Sequence, residues 1–247
     1  MLGVFRSGDN WRNALNIFRY ITNPLAYLSY LVIPAGNPVV RVNTPTGIVS
    51  LRLRNRESAK TVFSIFCRHD YLLPENEAFF LDLGSNIGIA AAYFLSRNTQ
   101  NRIICVEPDP NNIPFLKENM RQFDGRFEHK PVAVHTDVGS IDFYCSTDGK
   151  YSTTVLQKAQ SDWDHINVPC VPFTQLCEES INAAGPLPVI VKIDVEGLES
   201  ELVASVDFNR FPAITRMIIE STECSELVTR KHSRNVRNGY IEDLVFD

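Results

Sequence analysis

The stretch from Phe79 to Ala91 constrains the fold of this 247-residue chain more than any other. Five mostly apolar residues (79–83) precede a small-residue turn that contains Gly84 and Gly88, and an alanine-rich run follows. This order predicts a buried strand, a loop and a helix. Glycines let a backbone approach a ligand closely, and the start of a helix offers free N–H groups to the same space. The stretch therefore predicts a site for a nucleotide-type cofactor.

The spacing within this turn distinguishes between two classes of cofactor. A dinucleotide fingerprint needs G-x-G-x-x-G, but Asn86 and Ile89 occupy its second and third glycine positions. This disfavours a nicotinamide-dependent oxidoreductase. The carboxylate of Asp82, two residues before Gly84, would repel a pyrophosphate but attract the ammonium and sulfonium groups of S-adenosylmethionine. We therefore expect S-adenosylmethionine as the cofactor, with a ligand-free tight turn as the alternative.

A second strand supports the same site. Residues 102–107 are mostly apolar and end in Glu107, which follows Gly88 by close to the roughly 20 residues typical of a ribose-binding acid in nucleotide-binding βαβ units. A carboxylate at this position can accept both ribose hydroxyls, although a solvated acid at a strand end has the same appearance in sequence. Asp109 and Pro110 then predict an N-cap and first helical position. The helix is expected to continue through Met120.

Two polar residues interrupt a later apolar strand at residues 188–197. Buried central strands are nearly all apolar, so Lys192 and Asp194 require an explanation. Their spacing places both on one face, with Asp194 at the carboxyl end of the strand near the expected cofactor. Lys192 is expected to hold Asp194 ionised. We predict a catalytic or acceptor-orienting role for Asp194; a buried pair that only fixes the loop geometry is the alternative.

Three motifs resemble those of the FkbM-type methyltransferases: LDLGSNIG (81–88), VEPDPNN (106–112) and, most specifically, VKIDVEGLE (191–199). The resemblance extends from about residue 50 to about residue 222. It implies a class I, Rossmann-like α/β fold with a mostly parallel, doubly wound sheet, and it implies S-adenosylmethionine-dependent O-methyl transfer. The expected cofactor-binding residues are Asp82, Gly84, Ser85, Asn86, Gly88 and Glu107.

The resemblance also implies an acceptor that carries a hydroxyl group, on a sugar or on a polyketide. Some FkbM relatives modify sugars of bacterial surface or signalling oligosaccharides, including rhizobial nodulation signals. We therefore expect an O-methyltransferase that acts on a sugar hydroxyl. A polyketide or other secondary-metabolite hydroxyl is one alternative, and a non-catalytic nucleotide-binding module is another.

Methyl transfer to an alcohol needs a base that takes the hydroxyl proton in the transition state. We expect Asp194 or Glu196 in that role, with His135 and Glu220 as further candidates at predicted strand ends. A magnesium ion is an alternative, since some O-methyltransferases use one together with carboxylates. The histidines and cysteines show no metal-ligand spacing, so we predict no metal site.

The composition disfavours several classes of partner and site. A net charge of −5, from 24 basic and 29 acidic residues, argues against nucleic acid as the substrate. The six cysteines include no C-x-x-C pair, which is typical of a reduced, cytoplasmic protein without structural zinc. Neither composition nor motifs predict the oligomeric state.

Residues 1–54 form a predicted extension before a methyltransferase domain at 55–247. Residues 1–20 have an amphipathic helical pattern, 24–34 are an apolar run bounded by prolines, and 39–54 alternate as in a hairpin. The apolar run is shorter than the roughly 20 residues that span a bilayer, and no signal sequence is recognisable. We expect the extension to pack on the domain or over the acceptor pocket, or to contact the inner membrane surface through residues 1–36.

Residues 140–175 have the pattern of a β insertion within the domain. The insertion contains hydrogen-bonding residues that suit a hydroxyl-rich acceptor, although an ordinary surface loop explains them equally well. These residues are Asp148, Lys150, Tyr151, Ser152 and Thr153.

The remaining pattern predicts the other elements of an α/β domain. Helices are expected at 58–67, 174–183 and 198–205, a third core strand over 127 and 131–134, and a fifth at 214–220. Tyr71, just before the first core strand, is expected to pack in the core, with contact to the cofactor as the alternative. The basic residues 229–238 are expected to be a solvated helix end, with attraction of an anionic acceptor as the alternative. Residues 241–247 are expected to be one strand, half of the antiparallel hairpin that usually closes such sheets, which leaves the sheet edge open.

Overall fold

The computed structural model describes residues 8–146, 152–154, 160 and 162–247, and of residues 8–12 it describes the backbone only. The helices of the described chain are α1 (Gly8–Tyr20), α2 (Pro24–Val32), α3 (Arg56–Val62), α4 (Ile89–Leu95), α5 (Ile113–Met120), α6 (Phe173–Ala184) and α7 (Glu199–Ala204). Helix α3 continues directly into a π-helix at Phe63–Cys67.

The strands, in chain order, are β1 (Val39–Thr44), β2 (Gly47–Arg52), β3 (Phe79–Leu83), β4 (Arg102–Val106), β5 (Phe127–Lys130), β6 (Ala133–His135), β7 (Gly139–Cys145), β8 (Asp164–Pro172), β9 (Val189–Ile193), β10 (Ile214–Ile219), β11 (His232–Arg237) and β12 (Ile241–Phe246).

Seven of these strands form the central sheet, in the order β11-β12-β10-β9-β3-β4-β5. The five strands from β10 to β5 are parallel, and β12 and β11 complete one edge as an antiparallel hairpin. Apolar side chains fill a cluster on each face: one joins the sheet to α4 and α5, the other to α6 and α7. The predicted doubly wound, mostly parallel α/β fold is confirmed.

The strand order reverses between β3 and β9. From β3 the chain adds β4 and β5 on one side of the sheet, and it later adds β9 and β10 on the other. Ligands of open α/β sheets bind outside the carboxyl ends of the strands at such a switch point. Because β3 ends at Leu83 and β9 ends at Ile193, the glycine turn and the segment after Ile193 meet there.

The N-terminal helices pack on the rest of the chain. Helix α1 lies against the π-helix, where Asn16 Nδ2 donates a hydrogen bond to the carbonyl of Cys67 at 2.7 Å. Helix α2 lies against α3, where the buried Tyr27 hydroxyl donates to the carbonyl of Ala59 at 2.7 Å. In the part of the chain that the structure describes, no helix has the length and apolar character needed to cross a bilayer.

The predicted hairpin is confirmed as β1 and β2, which pair in antiparallel register. Its Val42 and Leu51 are fully buried in the same cluster as α4. The side chain of Asn119, on α5, accepts a hydrogen bond from the N–H of Arg52 at 2.7 Å. The hairpin therefore shares the core of the domain.

The C-terminal edge of the sheet differs from the sequence prediction. The expected helix end at 229–238 is instead strand β11, which pairs with β12 along its length, so the prediction of only half a hairpin was wrong. The missed signal is Asn238-Gly239, whose φ angles of 54° and 76° are those that a type I′ hairpin turn requires. Because β11 is an edge strand with mostly exposed polar side chains, it lacks the alternation by which strands are recognised.

The third strand of the sheet was also placed partly wrongly. It is Phe127–Lys130, and Pro131 follows it directly. Residues Ala133–His135 belong instead to a separate three-stranded sheet of order β6-β8-β7. This second sheet confirms the β character of the insertion predicted at 140–175, whereas its residues Asp148, Lys150 and Tyr151 lie outside the described residues.

Helix α5 begins three residues later than the sequence suggested. The side chain of Asp109 does not cap a helix at Pro110; it accepts a hydrogen bond from the N–H of Asn111 at 2.8 Å, as in an Asx turn. The helix starts at Ile113, with Pro114 in its first turn. A proline does occupy the start of this helix, as is common, but it is Pro114 and not Pro110.

Candidate active site

A cleft of about 260 Å³ opens at the carboxyl ends of the central parallel strands. This volume is slightly below the range of roughly 300–1,000 Å³ typical of small-molecule sites. Most of the residues predicted from sequence line it, namely Gly84, Ser85, Asn86, Glu107, Asp194, Glu196 and Glu220. Asp82, Gly88 and His135 do not belong to its lining.

The glycine turn is held by hydrogen bonds to the neighbouring strand. The N–H groups of Gly84 and Ser85 donate to the carbonyl of Val106 at 3.1 and 3.0 Å, and the Ser85 hydroxyl donates to the carbonyl of Asp82 at 2.8 Å. Gly84 has a φ of 75°, and a Cβ atom there would lie 1.8 Å from the carbonyl oxygen of Asp194. Only glycine fits, because the turn and the segment after β9 touch at this point.

The end of the turn starts helix α4. Gly88 is its N-cap residue, with a φ of 83°, and a Cβ there would lie 2.7 Å from Cδ1 of Leu116. Asn86 has a φ of 50°, and its Oδ1 accepts a hydrogen bond from the N–H of Ile87 at 2.7 Å. Gly88 therefore shapes the turn from below the cleft, whereas Asn86 lies on the cleft wall.

Glu107 follows β4, is only 5% exposed and lies on the cleft wall beside the glycine turn. Its Oε2 accepts a hydrogen bond from the N–H of Asn86 at 2.7 Å, and its Oε1 accepts one from the N–H of Asp109 at 2.9 Å. Burial raises the pKa of Glu107 to about 7, although the two backbone donors oppose the rise. This is the position expected of a ribose-binding acid in a nucleotide site.

Lys192 connects two carboxylates at the floor of the cleft. Its Nζ lies 3.2 Å from Oδ1 of Asp82 and 3.2 Å from Oδ2 of Asp194. It also donates to the carbonyls of Leu83 and Gly84 at 3.4 and 3.2 Å. Burial lowers the pKa of Lys192, but the carboxylates of Asp194 and Asp82 outweigh burial and raise it above its usual value. A single ammonium group thus joins the glycine turn to the segment after β9.

Asp82 lies deeper than the sequence suggested. Its side chain is completely buried and is not part of the cleft wall. Among the described residues, its carboxylate oxygens have only the ion pair with Lys192 and no hydrogen bond of good geometry. Burial raises the pKa of Asp82, and Lys192 opposes the rise. This placement favours an indirect role, through Lys192, over the predicted direct contact with the cofactor.

A further carboxylate, that of Glu220, reaches the cleft from the end of β10. Glu220 follows that strand, and its Oε1 accepts a hydrogen bond from the Tyr71 hydroxyl at 2.8 Å. The Tyr71 ring packs against Phe94, with centroids 6.0 Å apart. Burial and the charge of Glu220 raise the pKa of Tyr71 well above its usual value, so Tyr71 is a neutral donor. The sequence placed Glu220 at the cleft edge and Tyr71 in the core, but it gave no sign that the two are bonded.

The segment after β9 owes its shape to Glu199. The Glu199 carboxylate accepts hydrogen bonds from the N–H of Val195 at 3.1 Å and the N–H of Gly197 at 2.9 Å. Between them, Glu196 has a φ of 56°, and its carbonyl accepts a hydrogen bond from the Thr153 hydroxyl at 2.8 Å. In the sequence analysis Glu199 was only the last residue of VKIDVEGLE, with no structural role assigned to it. Its position two residues after Gly197 is the sequence signal that it bonds the backbone of this segment.

The insertion reaches over the cleft at residues 152–154. The Ser152 hydroxyl donates to Oδ2 of Asp109 at 2.8 Å, and Thr153 exchanges backbone hydrogen bonds of 2.8 and 3.0 Å with Tyr144. Ser152 and Thr154 belong to the cleft wall. The insertion is therefore tied both to the loop after β4 and to the loop after β9.

Sequence reasoning missed a further part of the cleft wall, which includes Tyr240 and Asp70. Tyr240, beside the C-terminal hairpin turn, donates to Oδ2 of Asp70 at 3.4 Å and accepts a hydrogen bond from Arg68 Nη2 at 3.2 Å. Arg68 Nε also donates to Oδ1 of Asp70 at 2.7 Å. Helix α3 and its flanks contribute the apolar Ile65 and several polar residues to the cleft lining: Asn55, Glu57, Ser58, Lys60, Thr61 and Ser64.

The geometry separates the candidate bases. His135 ends β6 away from the cleft wall, and its Nδ1 accepts a hydrogen bond from the N–H of Asp137 at 3.3 Å. The carboxylates that line the cleft after β9 and β10 are those of Asp194, Glu196 and Glu220. Within the described part of the chain, no cluster of three or more His, Cys, Asp or Glu residues is arranged to hold a metal ion, and the cysteines are buried and free.

A sheet of this order, with a glycine turn after its first parallel strand and an acid after the next, defines a class I methyltransferase that uses a cofactor of the S-adenosylmethionine type. Residues 82–235 match the family model described as the methyltransferase FkbM domain. Since that match covers more than half of the chain, the protein belongs to the FkbM methyltransferase family, as the motifs predicted.

Similar proteins include other methyltransferases. The 2-O-methyltransferase NoeI of Sinorhizobium fredii is 28% identical over 174 residues, which cover 64% of this chain and 71% of that protein. Precorrin-6y C5,15-methyltransferase from Geobacter metallireducens is 11% identical, with a TM-score of 0.39 over 79% of this chain and 90% of the other. An O-methyltransferase family protein from Burkholderia thailandensis is 10% identical, with a TM-score of 0.40 over 77% and 56%. The fold assignment rests on the strand order and the family match, not on these two structural likenesses.

Proposed function

We propose that this protein transfers the methyl group of S-adenosylmethionine to a hydroxyl of a sugar residue in an oligosaccharide. The observation that carries the proposal is that Asp194 and Glu220 line one cleft at the switch point, together with polar side chains of α3 and its flanks. Carboxylates in this position are suited to hold a hydroxyl and to take its proton.

The residues of the cleft fit S-adenosylmethionine. Glu107 supplies an acceptor for ribose hydroxyls, and Val132 and Phe143 offer apolar surface for a purine base. At the floor of the cleft, the ammonium of Lys192 is surrounded by the carboxylates of Asp194, Asp82 and Glu220. This excess of negative charge favours a cationic ligand. S-adenosylmethionine, when bound, supplies a methyl group made electrophilic by a positively charged sulfur.

Asp194 is the proposed base. Its side chain is 27% exposed, lines the cleft, and has one oxygen held 3.2 Å from Lys192 Nζ, which fixes the direction of the carboxylate. A hydroxyl held against it loses little further freedom before reaction. Asp194 takes the hydroxyl proton as the C–O bond to the methyl carbon forms and the C–S bond of the donor breaks. Glu220, with Tyr71 bonded to one of its oxygens, and Glu196 are placed to orient the acceptor.

The polar side chains of α3 and its flanks favour a sugar over a polyketide. Side chains such as Asn55, Lys60 and Ser64 offer hydrogen-bonding groups that a hydroxyl-rich molecule can use and that an apolar polyketide cannot. The aromatic ring of Tyr240, also in the cleft lining, adds a flat surface for a sugar ring. The name of the relative NoeI, a 2-O-methyltransferase, agrees with transfer to oxygen.

Incubation of the full chain with S-adenosylmethionine and a panel of oligosaccharides and polyketide alcohols, followed by mass spectrometry, tests the proposal. We expect a methylated oligosaccharide. Asp194→Asn is expected to bind S-adenosylhomocysteine within a few fold of the parent and to lose turnover, whereas Asp142→Asn, on the exposed part of the insertion, retains both. Full activity in Asp194→Asn would place the base elsewhere, and methylation of polyketide alcohols alone would contradict the sugar acceptor.

A further inference from the structure

We propose that the outer surface of α1 and α2 docks on an anionic lipid membrane. This surface, which we call the extension face, consists of Leu15 and Phe18 of α1 and of Leu25, Val32 and Ile33 at α2. Leu15, Leu25 and Ile33 are each at least 70% exposed. Large apolar side chains exposed at neighbouring sites are typical of an interaction surface.

Within each helix the exposed apolar side chains share one face, since Leu15 and Phe18 are three residues apart on α1 and Leu25 and Val32 are seven apart on α2. Helix α1 is bonded to the π-helix through Cys67, and α2 is bonded to α3 through Ala59. Because α3 and the π-helix form one continuous helical segment, α1 and α2 form an outer layer over it. Their exposed apolar side chains are those that do not enter the core against this segment.

The charge of the segment indicates what the extension face binds. Residues 1–60 contain eight Lys or Arg and two Asp or Glu, a formal charge of +6, whereas the whole chain has −5, which leaves −11 for residues 61–247. Such an asymmetry attracts the segment to an anionic surface and orients the remainder away from it.

Two exposed arginines, Arg19 and Arg41, lie at the margins of the apolar surface. Residues 20–40 contain no charged residue, and Arg19 and Arg41 flank them. The N–H of Arg41 donates to Oδ1 of Asn23 at 3.1 Å, which places this exposed arginine beside the junction of α1 and α2. Arg52, Arg54 and Arg56 are bonded within the protein, to Glu118, Asn112 and the carbonyl of Leu31. An apolar surface with basic residues at its margins is the pattern of a helix that lies in a membrane interface.

A second copy of the chain fits the extension face less well than a membrane does. A twofold contact would place each face against itself, and the positive charge of residues 1–60 would then be opposed to an equal charge. An anionic lipid surface satisfies both the apolar side chains and the arginines.

Co-sedimentation of the full chain with phosphatidylcholine vesicles, with and without phosphatidylglycerol, tests this inference. We expect binding to the anionic vesicles that weakens as salt is added. Leu25→Glu combined with Ile33→Glu is expected to lower the partition coefficient about tenfold or more, because two apolar side chains no longer enter the interface. Val138→Glu, which changes an equally exposed valine between β6 and β7, serves as the matched control and is expected to have no effect.

Binding of S-adenosylhomocysteine by each variant shows that it is folded. A folded parent chain that does not sediment with anionic vesicles, or equal losses in the control and the double variant, would overturn the proposal. A concentration-dependent dimer that the double variant abolishes would assign the extension face to a second copy instead.

Discussion

Gly84 and Asp194 touch across the switch point of the sheet, so that a Cβ on residue 84 would lie 1.8 Å from the carbonyl oxygen of Asp194. The cofactor turn and the proposed catalytic segment therefore meet with no room for a side chain between them. Lys192 reinforces this contact, since it donates to the carbonyl of Gly84 and pairs with the carboxylate of Asp194. A change in either segment is expected to affect both the donor side and the acceptor side of the cleft.

Gly84→Ala is the direct test of this contact. The new methyl group forces the turn and the segment after β9 apart, and we expect a loss of about 3 kcal/mol or more in the free energy of unfolding, measured with urea. Gly125→Ala is the matched control, because Gly125 has nearly the same φ, 76° against 75°, but has open space around it. The control is expected to cost only about 1 kcal/mol, the price of the left-handed backbone alone. Equal losses in the two variants would show that the contact with Asp194 is unimportant.

Lys192→Met is expected to destabilise the protein by about 3–5 kcal/mol, because it leaves the buried carboxylate of Asp82 without its ion pair. Asp82→Asn in the same chain is expected to recover a large part of that loss. Urea unfolding of the two single variants and the double variant measures the coupling between the residues. Additive losses would contradict the role of Lys192 as the partner of Asp82.

The loss caused by Lys192→Met should depend on pH. Burial raises the pKa of Asp82, and removal of Lys192 removes the main group that opposes that rise. A carboxyl whose pKa is higher in the folded than in the unfolded state costs stability above its unfolded pKa, and the cost disappears as the pH falls. The deficit should therefore be smaller near pH 5 than near pH 8. A deficit that grows on acidification would exclude this explanation.

Binding of S-adenosylhomocysteine should weaken below neutral pH because of Glu107. With a pKa of about 7, its carboxyl is mostly ionised at pH 8 and only about one-tenth ionised at pH 6, so the Kd should rise roughly tenfold if ribose binding needs the carboxylate. Calorimetric titration at both pH values measures the change. Glu107→Gln is expected to bind more weakly and to lose the dependence on pH; an unchanged dependence would assign it to another group.

The raised pKa of Glu107 also predicts how the stability of the ligand-free protein depends on pH. Because the pKa of Glu107 is raised above its unfolded value of about 4.3, ionisation costs stability as the pH rises from that value to about 7, and the contribution is constant above it. Ligand-free Glu107→Gln should therefore lose less stability than the parent between pH 5 and pH 7. Urea midpoints across this range provide the measurement.

Most of the residues that we propose bind the methyl donor were predictable, because their positions follow from one local rule. Gly84, Asn86 and Glu107 lie at the ends of adjacent parallel strands, and the carboxyl ends of such strands share an edge. Sequence spacing therefore brought them together correctly. It did not show that Asp82 would lie outside the cleft lining, paired with Lys192, a residue more than a hundred positions away.

The residues that we propose bind the acceptor were less predictable, because they come from distant segments of the chain. The bond between Tyr71 and Glu220 joins residues 149 positions apart, and Tyr240 contacts Asp70 from the far end of the chain. No periodicity or motif encodes such pairs. The C-terminal hairpin that brings Tyr240 there was missed for a local reason, since its edge strand is polar while its turn, Asn238-Gly239, carries the recognisable signal.

Tyr71→Phe is expected to separate acceptor chemistry from donor binding. The change removes the hydroxyl that donates to Glu220 at 2.8 Å but keeps the ring against Phe94. Glu220 then loses the group that fixes its direction, and we expect kcat for the acceptor to fall about tenfold while the Kd of S-adenosylhomocysteine stays within about twofold. Stability should fall by only about 1 kcal/mol.

Tyr30→Phe is the control for this prediction, since its hydroxyl donates to the carbonyl of Gly36 at 3.4 Å within the N-terminal segment. It is expected to leave kcat unchanged. Glu220→Gln should resemble Tyr71→Phe, and the double variant should be little worse than either single variant, because both remove the same interaction. If the two losses in kcat multiply, Tyr71 and Glu220 act separately and the hydrogen bond between them does not orient the acceptor.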